Sequence, residues 1–92
     1  MPINYEVKFD KLYFKIAEVA EMFDQPTSTI RYWSNRFHLF IKRNGRNDRR
    51  YSQQNIEELR VIDWLLNDVG FTIMGAKQYI RIHGYKIKPN LI

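Results

Sequence analysis

The chain has 92 residues, 45% hydrophobic and 15% aromatic, with 15 Lys and Arg against 10 Asp and Glu, a formal net charge of +5 and no cysteine. That length bounds one domain with a modest core, no apolar run approaches the roughly 18 residues that cross a bilayer, and the missing thiols exclude disulfides, Cys-ligated metals, iron–sulfur clusters and thiol nucleophiles. The opening MPINYEVKFD has neither a basic n-region nor an apolar h-region, so no secretory signal is visible and a cytoplasmic location is expected.

Residues 1–14 show no clear period and read as coil ending in the apolar Leu12, Tyr13 and Phe14. From Ile16 the apolar residues Ile16, Val19, Ala20 and Phe23 fall at i, i+3, i+4 and i+7, with Glu18 and Glu21 opposite, which predicts an amphipathic helix over 16–23. Asp24-Gln25-Pro26 breaks it, since proline cannot continue a helix yet is well placed to open the next one. A second helix is predicted from Pro26 or Thr27 to about Phe37, burying Ile30, Trp33 and Phe37 and leaving Thr27, Ser28, Arg31, Tyr32 and Asn35 on its other face. Two short helices joined by a tight turn, the second with a small polar start and a basic, aromatic outer face, form the pattern of a helix-turn-helix.

The segment that follows concentrates the charge. Residues 1–30 carry three basic and five acidic side chains (net −2), 31–50 seven and one (+6), and 51–92 five and four (+1), so all the excess lies in one twenty-residue block. Its densest part, IKRNGRNDRRYS at 41–52, holds Lys42, Arg43, Arg46, Arg49 and Arg50 against Asp48 alone. Asn44-Gly45 favours a turn with positive φ, which predicts two short strands around a loop, a β wing. A concentrated basic patch draws in polyanions and speeds their encounter.

Ser52 then caps a third helix over about 53–68, with Ile56, Leu59, Ile62 and Leu66 on one apolar face and Gly70 as its stop. Thr72 caps a fourth, carrying Ile73, Ala76, Tyr79 and Ile80 and ending before Gly84. The expected fold class is mainly α, a winged helix-turn-helix of about four helices and a two-stranded wing, as a single domain over 1–92 with its core at about 13–83 and a tail at 84–92. His38 and His83 lack metal-ligand spacing and read as surface or helix-end residues. Glu57, Glu58, Asp63 and Asp68 read as a solvated face of the third helix. With no nucleophile and base pair and no phosphate-cradling glycine loop, no enzyme site assembles, and neither metal nor cofactor is expected.

TSTIRYW, the basic wing ending RRYS, and NIEELRVIDWLLNDVGFTIMGAKQYI together resemble the DNA-binding domain of the MerR (mercury-resistance regulator) family of bacterial transcription factors, over about residues 13–83. The resemblance implies double-stranded DNA as partner and the second helix as the recognition helix in the major groove. It implies Thr27 and Ser28 at base edges, Arg31 and Tyr32 on the backbone or groove wall, and Arg49 of the wing on flanking phosphates or the minor groove. Lys42, Arg43, Arg46 and Arg50 would extend that contact, each neutralised phosphate steepening the salt dependence. The chain departs from the family pattern at Gln25-Pro26 and at Lys15, where a capping Ser or Thr is usual, and neither the family's long dimerising helix nor its effector domain is expected within these 92 residues. A homodimer, if formed, is expected to be weak or DNA-assisted. Two other functions fit the same residues: an excisionase-like DNA-bending accessory factor, and a protein-interaction adaptor docking through Tyr79, Ile80, Ile82, Tyr85, Ile87, Leu91 and Ile92.

Overall fold

The computed structural model describes residues 11–87. Its elements run β1 (Tyr13–Phe14), α1 (Ile16–Phe23), α2 (Thr27–Arg36), β2 (Lys42–Arg43), β3 (Arg49–Ser52), α3 (Gln53–Asp63), a π-helical turn (Trp64–Val69) and α4 (Ile73–His83). Four helices around a small sheet make the mainly α winged helix-turn-helix that the periodicity predicts.

The coil expected over 1–14 lies outside the described residues up to position 10 and fails at its end. Tyr13 and Phe14 pair antiparallel with Ser52 and Tyr51, so the sheet has three strands in the order β1-β3-β2 instead of two. A two-residue strand shows no alternation of its own, and its partner is distant in sequence. It buries Phe14 and covers the second edge of β3.

Lys15 offers no oxygen to cap α1, and the job passes to Glu18, whose Oε1 accepts from the Lys15 amide at 2.8 Å. Glu18 also bonds the Lys11 ammonium, and that bond together with the Lys15 amide holds its carboxyl below the usual carboxylate range. The helix closes at Asp24 in the left-handed region, φ 52°, with the Gln25 amide on the Ala20 carbonyl at 3.0 Å. Pro26 then opens α2 without any side-chain cap. At the far end His38 takes φ 55° while the Leu39 amide reaches the Ser34 carbonyl at 3.0 Å, a Schellman closure that fixes His38 as an exposed helix-end residue.

Ser52 caps α3 as its hydroxyl predicts: Oγ accepts from the Asn55 amide at 3.1 Å, and Asn55 Oδ1 accepts from the Ser52 amide at 3.0 Å. The α pattern stops at Asp63, earlier than the expected 68, and the chain continues through the π turn to Gly70 at φ 90°. The amides of Gly70 and Phe71 both fall on the Leu65 carbonyl, at 3.0 and 2.8 Å. Asp63 corrects a second expectation, because it is buried and accepts from Asn67 Nδ2 at 2.6 Å instead of facing water. Its position explains this: it lies four residues after Leu59 and seven after Ile56, on the buried stripe, and helical spacing overrides its charge. Glu57 and Asp68 are exposed and Glu58 is half-buried.

Thr72 Oγ1 caps α4 through the Gly75 amide at 3.0 Å. Tyr79 meets Trp64 and Phe71 edge-on, with centroids 6.0 and 6.2 Å apart. The core draws on every layer, with Val19 and Phe23 of α1, Ile30 and Trp33 of α2, Tyr51 of β3, and Ile56, Leu59 and Ile62 of α3 all buried. Tyr85 and Ile87 pack onto it from the start of the tail. Burial pushes the Tyr85 hydroxyl up to about 12, and Glu58 adds to the rise.

Candidate nucleic-acid interface

Burial divides α2 cleanly. Ile30, Trp33 and Ser34 face inward, whereas Thr27, Ser28, Arg31, Tyr32, Asn35 and Arg36 are exposed. The outer face expected from the spacing is therefore the free face. It also carries Arg36, which the sequence reading left out: its guanidinium carbon sits 5.8 Å from the Tyr32 ring centroid, an i, i+4 cation–π pair. That spacing was available in the sequence. Tyr32 keeps about half its surface exposed, at 49%, so it is not spent on the core.

The wing forms, but its turn differs in detail from the Asn-Gly expectation. The positive φ falls on Asn47, at 65°, and Gly45 has none. Asn44 works through its side chain, Oδ1 accepting from the amides of Arg46 and Asp48 at 2.9 Å each. Its carbonyl meanwhile closes a turn with the Asn47 amide at 2.9 Å. A turn followed by one left-handed residue is the usual form of a three-residue hairpin loop.

Register then places like charges face to face. Lys42 pairs with Arg50 and Arg43 with Arg49 across the β2–β3 ladder. Directly opposed like charges destabilise a hairpin unless an anion neutralises them. Strand alternation sends neighbouring side chains to opposite faces. Lys42 turns toward β1, its ammonium 5.4 Å from the Tyr13 ring centroid, while Arg49 turns toward α2.

Between the wing, α2 and the start of α1 lies an open cleft of about 430 Å³, bordered by Lys15, Arg31, Arg43, Arg49 and Arg50 with Asp48 as the acidic neighbour. Four of these five cationic residues are among the expected site residues, drawn together from α2, β2 and β3. Lys15 is new to the set. It lies far from the charged block in sequence, and only the fold brings it to the wing. Thr27, Ser28 and Tyr32 lie outside the cleft on the exposed face of α2, Arg46 is exposed at the wing tip, and Lys42 occupies the β1 side.

The surface offered for protein docking fares worse. Tyr79 is buried, Ile80, Tyr85 and Ile87 pack on the core, and of that set only Ile82 is exposed among the described residues. Leu91 and Ile92 lie outside those residues. Among the described residues no group of three or more His, Asp or Glu is placed to hold a metal ion, and no helix is long and apolar enough to cross a membrane.

The fold and the sequence pattern recur in known proteins. The profile of the MerR HTH family regulatory proteins matches residues 14–81. The chain is similar to the regulator protein TubY of a Clostridium botulinum C phage, 36% identical over 78 residues that make up 83% of this chain and 32% of TubY. The chain thus spans about a third of the length of that curated relative. In structure it is similar to a MerR-family transcriptional regulator from Bacillus thuringiensis, with TM-score 0.61 and 30% identity over 76% of this chain and 61% of the other.

Proposed function

The chain belongs to the MerR family of helix-turn-helix regulatory proteins, and on that premise we propose that it binds double-stranded DNA as a transcription regulator. In this reading α2 enters the major groove with Thr27 and Ser28 toward base edges, and Arg31 and Tyr32 meet the groove wall or backbone. The wing lies on flanking phosphates through Arg43, Arg46, Arg49 and Arg50, with Lys42 on its outer side. Phosphate contacts fix the register and a few side chains read the bases.

The observation that carries the reading is the cleft. Cationic residues from three separate elements border one opening beside the exposed face of α2. A solvated charged face needs no such convergence, whereas a backbone passing between wing and helix uses all of it. The uncapped start of α2 adds first-turn amides that a phosphate accepts readily.

The test is fluorescence anisotropy on a random duplex across a salt series, comparing the native chain with Arg49→Ala. A steep salt slope that falls by roughly one unit in the variant places Arg49 on a phosphate. No binding at low salt ends the DNA reading. The same reading leaves the chain a monomer or weak dimer in free solution, pairing on DNA, and sedimentation showing a tight dimer without DNA contradicts that part.

A further inference from the structure

The Arg49 guanidinium is held at two points before any ligand arrives. Nη2 donates to Asn35 Oδ1 at 3.1 Å, and Nη1 reaches the Tyr51 hydroxyl oxygen at 3.4 Å. Tyr51 is fully buried, and its oxygen lies 2.9 Å from Ser34 Oγ, which in turn donates to the Ile30 carbonyl at 2.7 Å. A serine hydroxyl has one proton. Since Ser34 gives its proton to Ile30, Tyr51 must donate to Ser34 and accept from Arg49. The chain therefore runs one way, from the wing arginine through the core to the backbone of α2.

Asn35 closes the same link from outside. It lies one turn beyond Arg31 on the exposed face of α2, where a side chain has no packing duty. The geometry points to Asn35 as a positioning residue: it spends its carbonyl oxygen on the wing, fixing Arg49 against α2 so that helix and wing meet DNA as one rigid surface. This rests on the DNA-binding reading above and adds a role to a residue that reading leaves idle. A guanidinium has five N–H donors, of which two serve the tether, and the rest are free for a phosphate. A side chain ordered before binding avoids the cost of being ordered by it, which is worth up to about tenfold in affinity.

The experiment is a double-mutant cycle on duplex affinity with Asn35→Ala, Arg49→Ala and the double variant, each followed across a salt series. Asn35→Ala is expected to weaken binding about three- to tenfold with an unchanged salt slope, because no charge is lost. Combined with Arg49→Ala it should add nothing further. A readout without DNA accompanies it: in the free native chain NMR should show slowed rotation of the Arg49 Nη2 group, and faster averaging of that group in Asn35→Ala. Equal losses from Asn35→Ala with and without Arg49 would mean that Asn35 touches DNA itself, and overturn the assignment. Free rotation of Arg49 in the native chain overturns it as well. Native chain that binds no duplex overturns the DNA reading, a result distinct from binding with additive losses.

Discussion

The hydroxyl of Tyr51 and the Oγ of Ser34 lie 2.9 Å apart within the core, and that contact joins the wing to α2 from the inside. The direction of the hydrogen bond decides what each truncation does. Tyr51→Phe leaves Ser34 satisfied by Ile30, so the loss should be about 1 kcal/mol, a fall in Tm of roughly 4–8 °C for a domain of this size. Ser34→Ala strands the buried Tyr51 hydroxyl as a donor and should cost more, about 1–3 kcal/mol. Thermal melts followed by circular dichroism give the order, and the reverse order would mean that Ser34 gives its proton to Tyr51 instead of to the Ile30 carbonyl.

Lys15 borders the cleft although it is distant from the charged block in sequence. Lys15→Ala should therefore reduce the salt slope of duplex binding by up to about one unit, and Arg43→Ala should do the same. Lys77→Ala, on α4 and outside the cleft, should leave the slope unchanged. Equal slopes for all three variants would remove the cleft as the phosphate seat.

The wing turn makes opposite demands on its two asparagines. Asn47 holds a left-handed conformation that glycine adopts without strain, so Asn47→Gly should be neutral or stabilise by up to about 1 kcal/mol. Asn44→Ala removes the acceptor of two backbone amides and should destabilise by about 1–2 kcal/mol. Urea unfolding measures both, and a stable Asn44→Ala variant would show that water replaces the side chain at no cost.

Tyr85 should contribute to the alkaline limb of the stability curve. Its folded value, raised to about 12 from an ordinary 10.0, means that the folded chain keeps a proton that the unfolded chain releases. Stability from this group is fully present below about 10 and drains away as pH rises toward about 12. Tyr85→Phe should flatten that decline. Urea midpoints across the range, with an equally steep fall in the variant, would assign the decline to another group.

Much of this architecture is legible from local chemistry. Hydroxyls at Ser52 and Thr72, glycines at positions 70 and 84, and the Ile16–Phe23 stripe each act within a few residues of themselves, and each sits where its spacing places it. Three of the misses are tertiary. β1 exists only because β3 accepts it, Asp63 is buried because the stripe carries it inward, and Lys15 joins the cleft because α1 begins beside the wing. Two others are local: the pairing of Arg36 with Tyr32 follows from helical spacing alone, and the wing turn puts its positive φ on Asn47 instead of Gly45.

The register that sets Lys42 against Arg50 and Arg43 against Arg49 gives ionic strength two effects of opposite sign. Added salt screens those pairs and steadies the unliganded hairpin, yet under the proposed DNA reading it would also weaken every contact of the hairpin with a phosphate. On the proposed reading the wing would thus carry its greatest charge repulsion under the conditions in which it binds best, and a docked polyanion would relieve that repulsion without having to order the hairpin.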